Sequence, residues 1–232
     1  MLMLHRKKKY KEVDPAVILE KLPGKITSIQ IQARNSTRAS VYVDDAFLFG
    51  ATLDNLNKHS VQKGILLDKK TALSILELEE KHKLREYFLR LLTRRDHSKL
   101  ELKQKAMNKG IALKFMDEVF EEFESLNYLN EDRFVKAFAL EKGKFSGWGN
   151  LKIKMELKKK GISDAMIQQH VDEPDIDLLK DQMQTLILKK AVRFQRESDG
   201  LKKKKKIYEH LVRKGYPSDV IMRYIDDYAK MV

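Results

Sequence analysis

The chain has 232 residues, 42% of them hydrophobic and 35% charged; 47 Lys and Arg against 34 Asp and Glu give a formal net charge of +13 and a sequence pI of about 9.6. That length supports one or two domains with real cores, and the cationic surplus favours a polyanionic partner, nucleic acid before anionic membrane. The absence of cysteine excludes disulfides and thiolate metal sites; with no apolar run of about 18 residues and no signal-like stretch after the cationic start, a cytoplasmic protein is expected.

Residues 1–24 read as a basic tail. Arg6-Lys7-Lys8-Lys9 comes first and is either a solvated run or a nucleic-acid contact. Val17, Ile18, Leu19 and Leu22 then suit a short docked helix, which Pro23-Gly24 breaks. From Lys25 the period becomes two, with Ile26, Ser28 and Gln30 on one face and Thr27, Ile29 and Ile31 on the other. Ala39-Ser40-Val41-Tyr42-Val43 and Ala46-Phe47-Leu48-Phe49 flank Asp44-Asp45, which predicts a hairpin with a short acidic turn. A three-stranded sheet this small needs a cover. Leu53 to Ser60, with Leu53, Leu56 and Val61 at helical spacing before Gly64, is the candidate. Residues 25–70 are therefore expected to form a small α+β module.

From Lys69 onward the pattern is helical. Thr71 to Leu92 carries Leu73, Leu76, Leu84, Phe88, Leu91 and Leu92. Beyond it a Lys-Gly pair recurs at Lys109-Gly110, Lys160-Gly161 and Lys214-Gly215, and the flanks align without gaps. Eight residues before each Gly stand Leu102, Ile153 and Ile207, and four before stand Ala106, Leu157 and Leu211. One after stand Ile111, Ile162 and Tyr216, six after Met116, Ile167 and Ile221, and ten after Phe120, Val171 and Ile225. Lys63-Gly64 lacks these flanks.

Such glycines stop helices, because the C′ position takes a positive φ that only Gly adopts without strain. In a Schellman stop the residue after the Gly packs on the one four before it, which pairs Ile111 with Ala106, Ile162 with Leu157 and Tyr216 with Leu211. Gly110, Gly161 and Gly215 are thus structural turns. Ser163 and Ser218 are expected N-caps of the helices that follow, and Ser98 with Glu101 a capping box. A third helix precedes each pair, over roughly Glu79 to Thr93, from Asn130 onward, and over roughly Asp177 to Gln195. The predicted fold is mostly α: tandem three-helix repeats of about 50 residues, helix-turn-helix-like and stacked as an elongated solenoid, after the α+β module. The expected repeats are 71–127, 128–174 and 175–232. Sequence-specific DNA reading by the second helix of the first copy is disfavoured, because Met116-Asp117-Glu118-Val119-Phe120-Glu121-Glu122 would repel phosphate.

The stretch Leu92 to Val171 resembles the RecX family, bacterial regulators of RecA-type recombinases. The resemblance rests on Arg95-Asp96-His97-Ser98 leading into Glu101-Leu102, Lys105 and Lys109-Gly110. It rests also on Leu126-Asn127-Tyr128-Leu129-Asn130-Glu131-Asp132-Arg133-Phe134, and on Gly147-Trp148-Gly149 leading into Glu156-Leu157 and Lys160-Gly161-Ile162. Asn150 stands where a proline often follows Trp-Gly, and the third copy lacks the Trp-Gly element, its link carrying Lys202 to Lys206. The resemblance implies a non-enzymatic protein lying in the helical groove of the recombinase nucleoprotein filament and modulating, usually inhibiting, its ATPase, growth and strand exchange. It implies as partners the filament and single- and double-stranded DNA. No membrane, cofactor or small-molecule substrate is expected, and the chain is expected to be a monomer.

The cations offer phosphate contacts, each beside a structural alternative. Lys202, Lys203, Lys204, Lys205 and Lys206 are a sequence-independent phosphate contact or a solvated helix start. Arg94 and Arg95 pair with phosphate or with a helix C-terminus, and Lys109, Lys160 and Lys214 suit helix C-termini in any case. Lys152 and Lys154, with Lys158 and Lys159, face several sides of one helix, so at most half share a surface. Trp148 stacks on a base or packs on its own helix, and Arg133 reads as a bridge from a helix start to a neighbouring repeat. His5, His59, His82, His97, His170 and His210 have no metal spacing, and there is no Walker loop or dinucleotide fingerprint, so no catalytic, cofactor or metal site is expected. The alternatives are a stand-alone, non-sequence-specific nucleic-acid-binding protein and a scaffold for an acidic protein.

Overall fold

The computed structural model describes residues 15–171 and 175–232. The Arg6 to Lys9 run lies outside them. The chain forms two compact units: one runs through Tyr87 and includes Lys109–Val119, and the other holds Phe88–Asn108 and Phe120–Val232.

In the first unit a short helix, α1 (Pro15–Glu20), precedes strands β1 (Gly24–Gln32), β2 (Asn35–Val43) and β3 (Ala46–Thr52). Helix α2 (Leu53–Lys58), strand β4 (Leu66–Leu67) and the 24-residue helix α3 (Lys69–Leu92) follow. The antiparallel sheet has the order β3-β2-β1-β4, so it has four strands where the periodicity predicted three. The fourth is only two residues long, below the reach of any alternation signal. Asp44 and Asp45 both take positive φ, 48° and 61°, as a two-residue turn matched to strand twist demands. Alternation in β1 fails where expected to hold: Ile26 and Ile29 both pack into the core, because a bulge between Ile26 and Ser28 shifts the register.

The cover of the sheet is shared. Ile18 of α1, Leu56 of α2, and Ala72 and Ile75 of α3 join the core formed by Val41, Leu48 and Phe49. Leu73, expected to face inward, is exposed. Glu79 of α3 locks the arrangement: its Oε1 accepts from Thr52 N (2.8 Å), Thr52 Oγ1 (3.0 Å) and Asn55 Nδ2 (2.6 Å), and its Oε2 pairs with Arg38 at 2.7 Å.

The rest of the chain is helical. α4 (Lys99–Lys109) and α5 (Met116–Ser125) flank the first glycine stop. α6 (Glu131–Leu140) runs into a π-helical turn (Glu141–Phe145), followed by α7 (Asn150–Lys159) and α8 (Asp164–His170) around the second stop. α9 (Ile176–Leu188), α10 (Ala191–Gln195), α11 (Gly200–Lys214) and α12 (Ser218–Met231) complete the third copy. Gly110, Gly161 and Gly215 have φ of 70°, 81° and 89°. The Schellman bonds Ile162 N to Leu157 O and Tyr216 N to Leu211 O are each 3.2 Å. Of the aligned apolar columns, every side chain is buried except Met116, which is half-buried. Each buried Leu or Ile contributes about 2 kcal/mol of apolar transfer, so in the second and third copies the columns are what hold the helix pair shut.

Three local expectations are corrected. The helix predicted from Asp177 to Gln195 is two helices, parted at Lys189-Lys190, which leaves Phe194 in the core against His210 at 6.0 Å between ring centroids. Ser163 caps α8 by accepting from Met166 N, but the cap of α12 is Pro217; Ser218 instead meets the Tyr208 hydroxyl at 3.2 Å. Lys202 to Lys206 are not in a link: they form the early turns of α11, capped by Asp199.

Candidate functional site at the repeat joints

The first and second copies each dock on the carbonyl just before the glycine stop of the copy that follows. Ser98, at the start of α4, donates its hydroxyl to the Lys160 carbonyl at the end of α7 (2.7 Å) and accepts from Glu101 N (3.2 Å). In the equivalent place before α7, Gly149 N donates to the Lys214 carbonyl at the end of α11 (2.8 Å). These bonds set the first copy on the second, and the second on the third.

At the first joint the cations meet an acid. Glu101, only 12% exposed, takes His97 Nδ1 at 2.9 Å, Arg95 Nη1 at 3.0 Å and the Lys160 ammonium. Its carboxylate therefore does not complete the expected capping box with Ser98. Burial alone would raise the Glu101 pKa, but hydrogen bonds from His97, Lys160 and Arg95 outweigh it and hold the carboxyl far below the usual range. Beside it, Arg133 at the start of α6 grips Asp96 through Nε (2.9 Å) and Nη2 (2.7 Å), and Lys99 N donates to Glu131 (3.0 Å). Asn130 caps α6 by accepting from Arg133 N. His170 pairs with Asp132.

Of the residues that carry the family resemblance, Arg95, Asp96, Ser98, Glu101, Arg133 and Lys160 thus meet at the first joint, while Trp148 and Gly149 stand at the second. What the sequence reading missed is Glu101 as its hub. The signal was present in the alignment: the column nine before each glycine holds Glu101, Lys152 and Lys206, an acid among cations.

The expected phosphate contacts divide into tied and exposed groups. Arg95 and Lys160 are bound to Glu101. Lys214 Nζ donates to Ser146 O (2.6 Å) and Lys152 Nζ to Arg213 O (3.2 Å). Trp148 packs edge-on against Phe138 (6.3 Å) under the Lys152 ammonium, 4.4 Å from its ring. In the lysine run, Lys204 pairs with Asp226 (2.6 Å), Lys206 with Glu197 (2.5 Å) and Lys202 loosely with Asp199 (3.8 Å), while Lys203 donates to Val232 O (2.6 Å). Arg94, Lys109 and Lys205 are exposed, and Lys154 is half-buried. The run is therefore a largely paired helix face and not a loose cationic strand, because acids from α12 and from the turn before α11 reach it.

His210 of α11 is buried in the third copy. Burial, then the charges of Lys190, Lys214, Arg213 and Arg193, pull its pKa down to about 4. The unfolded chain, with a histidine pKa of about 6.5, takes up this proton first. Stability is therefore expected to fall as pH drops from about 6.5 towards 4, by about 2 kcal/mol at pH 5 from this group alone. His210→Phe, which keeps the ring contact with Phe194, should flatten thermal stability between neutral pH and about pH 5. An unchanged slope would remove the assignment.

Comparison with known proteins matches three family models: the regulatory protein RecX N-terminal domain over residues 24–68, the RecX second three-helix domain over 130–171 and the RecX third three-helix domain over 181–225. The chain is 30% identical over 197 residues to a regulatory protein RecX of Clostridium perfringens, covering 84% of this chain and 92% of that protein. It is 29% identical over 201 residues to one of Bacillus licheniformis, covering 84% and 74%. A crystal structure of regulatory protein RecX superposes with a TM-score of 0.66 at 19% identity over 88% of this chain and 99% of the other. That of RecX from Lactobacillus salivarius gives 0.55 at 22% identity over 67% and 99%. No helix among the described residues is long and apolar enough to cross a membrane.

Proposed function

The chain belongs to the RecX family of regulatory proteins, and from that premise we propose that it regulates a RecA-type recombinase by binding its nucleoprotein filament. The carrying observation is likeness across 92% of a curated relative's length, module and helical copies together, and not through one motif. The binding mode we propose is along the filament groove: successive three-helix copies, each docked through a donor on the carbonyl just before the next copy's glycine stop, follow a repeating surface, and cations face its phosphate. Arg94, Lys109 and Lys205, exposed in the structure, are the proposed outer contacts. The chain acts as a monomer and performs no chemistry itself.

The test is a titration of recombinase ATPase on single-stranded DNA. Turnover is expected to fall by more than half at sub-stoichiometric amounts of this protein, because one bound regulator obstructs many filament subunits. No change at several-fold excess overturns the reading. The net charge favours a second reading, a stand-alone nucleic-acid binder. It predicts salt-sensitive DNA binding with no effect on the recombinase beyond competition for DNA.

A further inference from the structure

The two joints both use the carbonyl just before the glycine stop as acceptor, and they differ in charge. In the column nine before each stop, the first copy has Glu101 and the second Lys152; one before the stop stand Lys160 and Lys214. At the first joint Glu101 therefore meets Lys160 as an ion pair. At the second the same positions bring Lys152 and Lys214 together, both cationic. Their hydrogen bonds go to the Arg213 and Ser146 carbonyls, which satisfy N–H groups without cancelling charge.

Three more cations gather here. Arg193 adjoins Phe194, whose ring meets that of the buried His210 at 6.0 Å, and Arg213 follows His210 by one helical turn and gives its carbonyl to Lys152; the charges of Lys190, Lys214, Arg213 and Arg193 all bear on His210, and those of Lys190 and Lys152 on Lys214. None of these five pairs with a carboxylate among the described residues. Glu156, which feels the charge of Lys152, gives its carboxylate to Lys159 at 2.8 Å. His210 Nε2, buried beside these cations, has no hydrogen-bond partner among the described residues. Positive groups held together without an acid call for an anion from outside.

We infer that the joint between the second and third copies is a phosphate-binding site, built by Lys152, Lys190, Arg193, Arg213 and Lys214. A phosphate supplies the charge that Glu101 supplies at the first joint. Its source is either the phosphodiester of a nucleic-acid strand or free phosphate. The site deepens the filament-regulator reading by naming where DNA is held, and its test contains no recombinase, so the failure of one does not imply the failure of the other.

The full chain is titrated at neutral pH with inorganic phosphate and with an oligothymidylate, by calorimetry and by the fluorescence of Trp148, the only tryptophan. Phosphate is expected to bind and to compete with the oligonucleotide. Binding of phosphate without competition assigns the site to free phosphate; binding of the oligonucleotide alone, lost in Lys152→Glu and weakened in Lys190→Ala, assigns it to the strand. Lys152→Glu should rebuild the ion pair of the first joint, raising Tm by a few degrees while abolishing the ligand response. Lys190→Ala, away from the backbone docking bond, should lower the log–log salt slope of oligonucleotide binding by about one. The inference is overturned if neither ligand binds, or if Lys152→Glu and Lys190→Ala bind as the parent does.

Discussion

Replacing Glu101 by Ala is expected to cost about 3–5 kcal/mol of unfolding free energy, because it strands the Lys160 ammonium and the buried His97 without their shared acceptor. Arg95 is half-exposed at this site and contributes little to that figure. Glu101→Gln keeps the shape and one acceptor and should cost less than Ala. The carboxyl titrates below its unfolded value, so its stabilisation is complete above the ordinary carboxylate range and is lost as pH falls through and below it. Glu101→Gln should therefore abolish part of the acid-induced loss seen in the parent chain. Urea unfolding at neutral pH and near pH 4 measures both effects; equal stability of parent and Glu101→Ala would show that the joint is held by its other bonds, from Ser98, Lys99 and Arg133.

Gly149→Ala is expected to rank next, at roughly 2–3 kcal/mol, and to act without any backbone strain of its own. Gly149 has φ of −76°, open to every residue. An added Cβ, however, would lie 2.3 Å from Gly215 O and 2.6 Å from Gly215 C, so the backbone of the third copy would have to move away. The docking bond from Gly149 N to Lys214 O would go with it. Gly110→Ala is the internal control: its φ is 70°, yet nothing lies within 4 Å of the new carbon, so only the left-handed penalty of about 1–2 kcal/mol applies. Thermal unfolding of the two variants side by side should place Gly149→Ala below Gly110→Ala. The reverse order would mean that the second joint opens freely.

Local rules were enough for much of the architecture. A helix that must stop needs a residue tolerant of positive φ, and the apolar residue after it must pack on one five positions back to seal the stop; Gly161 with Ile162 and Leu157, and Gly215 with Tyr216 and Leu211, satisfy both within a few residues of chain. The hairpin at Asp44-Asp45 and the caps at Asn130 and Ser163 are equally local. The repeat itself multiplied a weak signal: one Lys-Gly means nothing, whereas apolar columns shared by three such pairs leave little else to read.

The sequence by itself determined the glycine-stopped helix pairs, the module before them and the cationic balance, because each follows from spacing along the chain. Only the tertiary structure decided what those cations do. Lys160 and Lys214 look identical as residues before a glycine, yet one faces Glu101 and the other joins Lys152, since their partners stand more than fifty residues away on the preceding copy. The bulge that turns Ile29 inward and the acids that claim Lys204 and Lys206 belong to the same class. Charge pairing falls off with distance in space, and distance in space is what a linear pattern does not record.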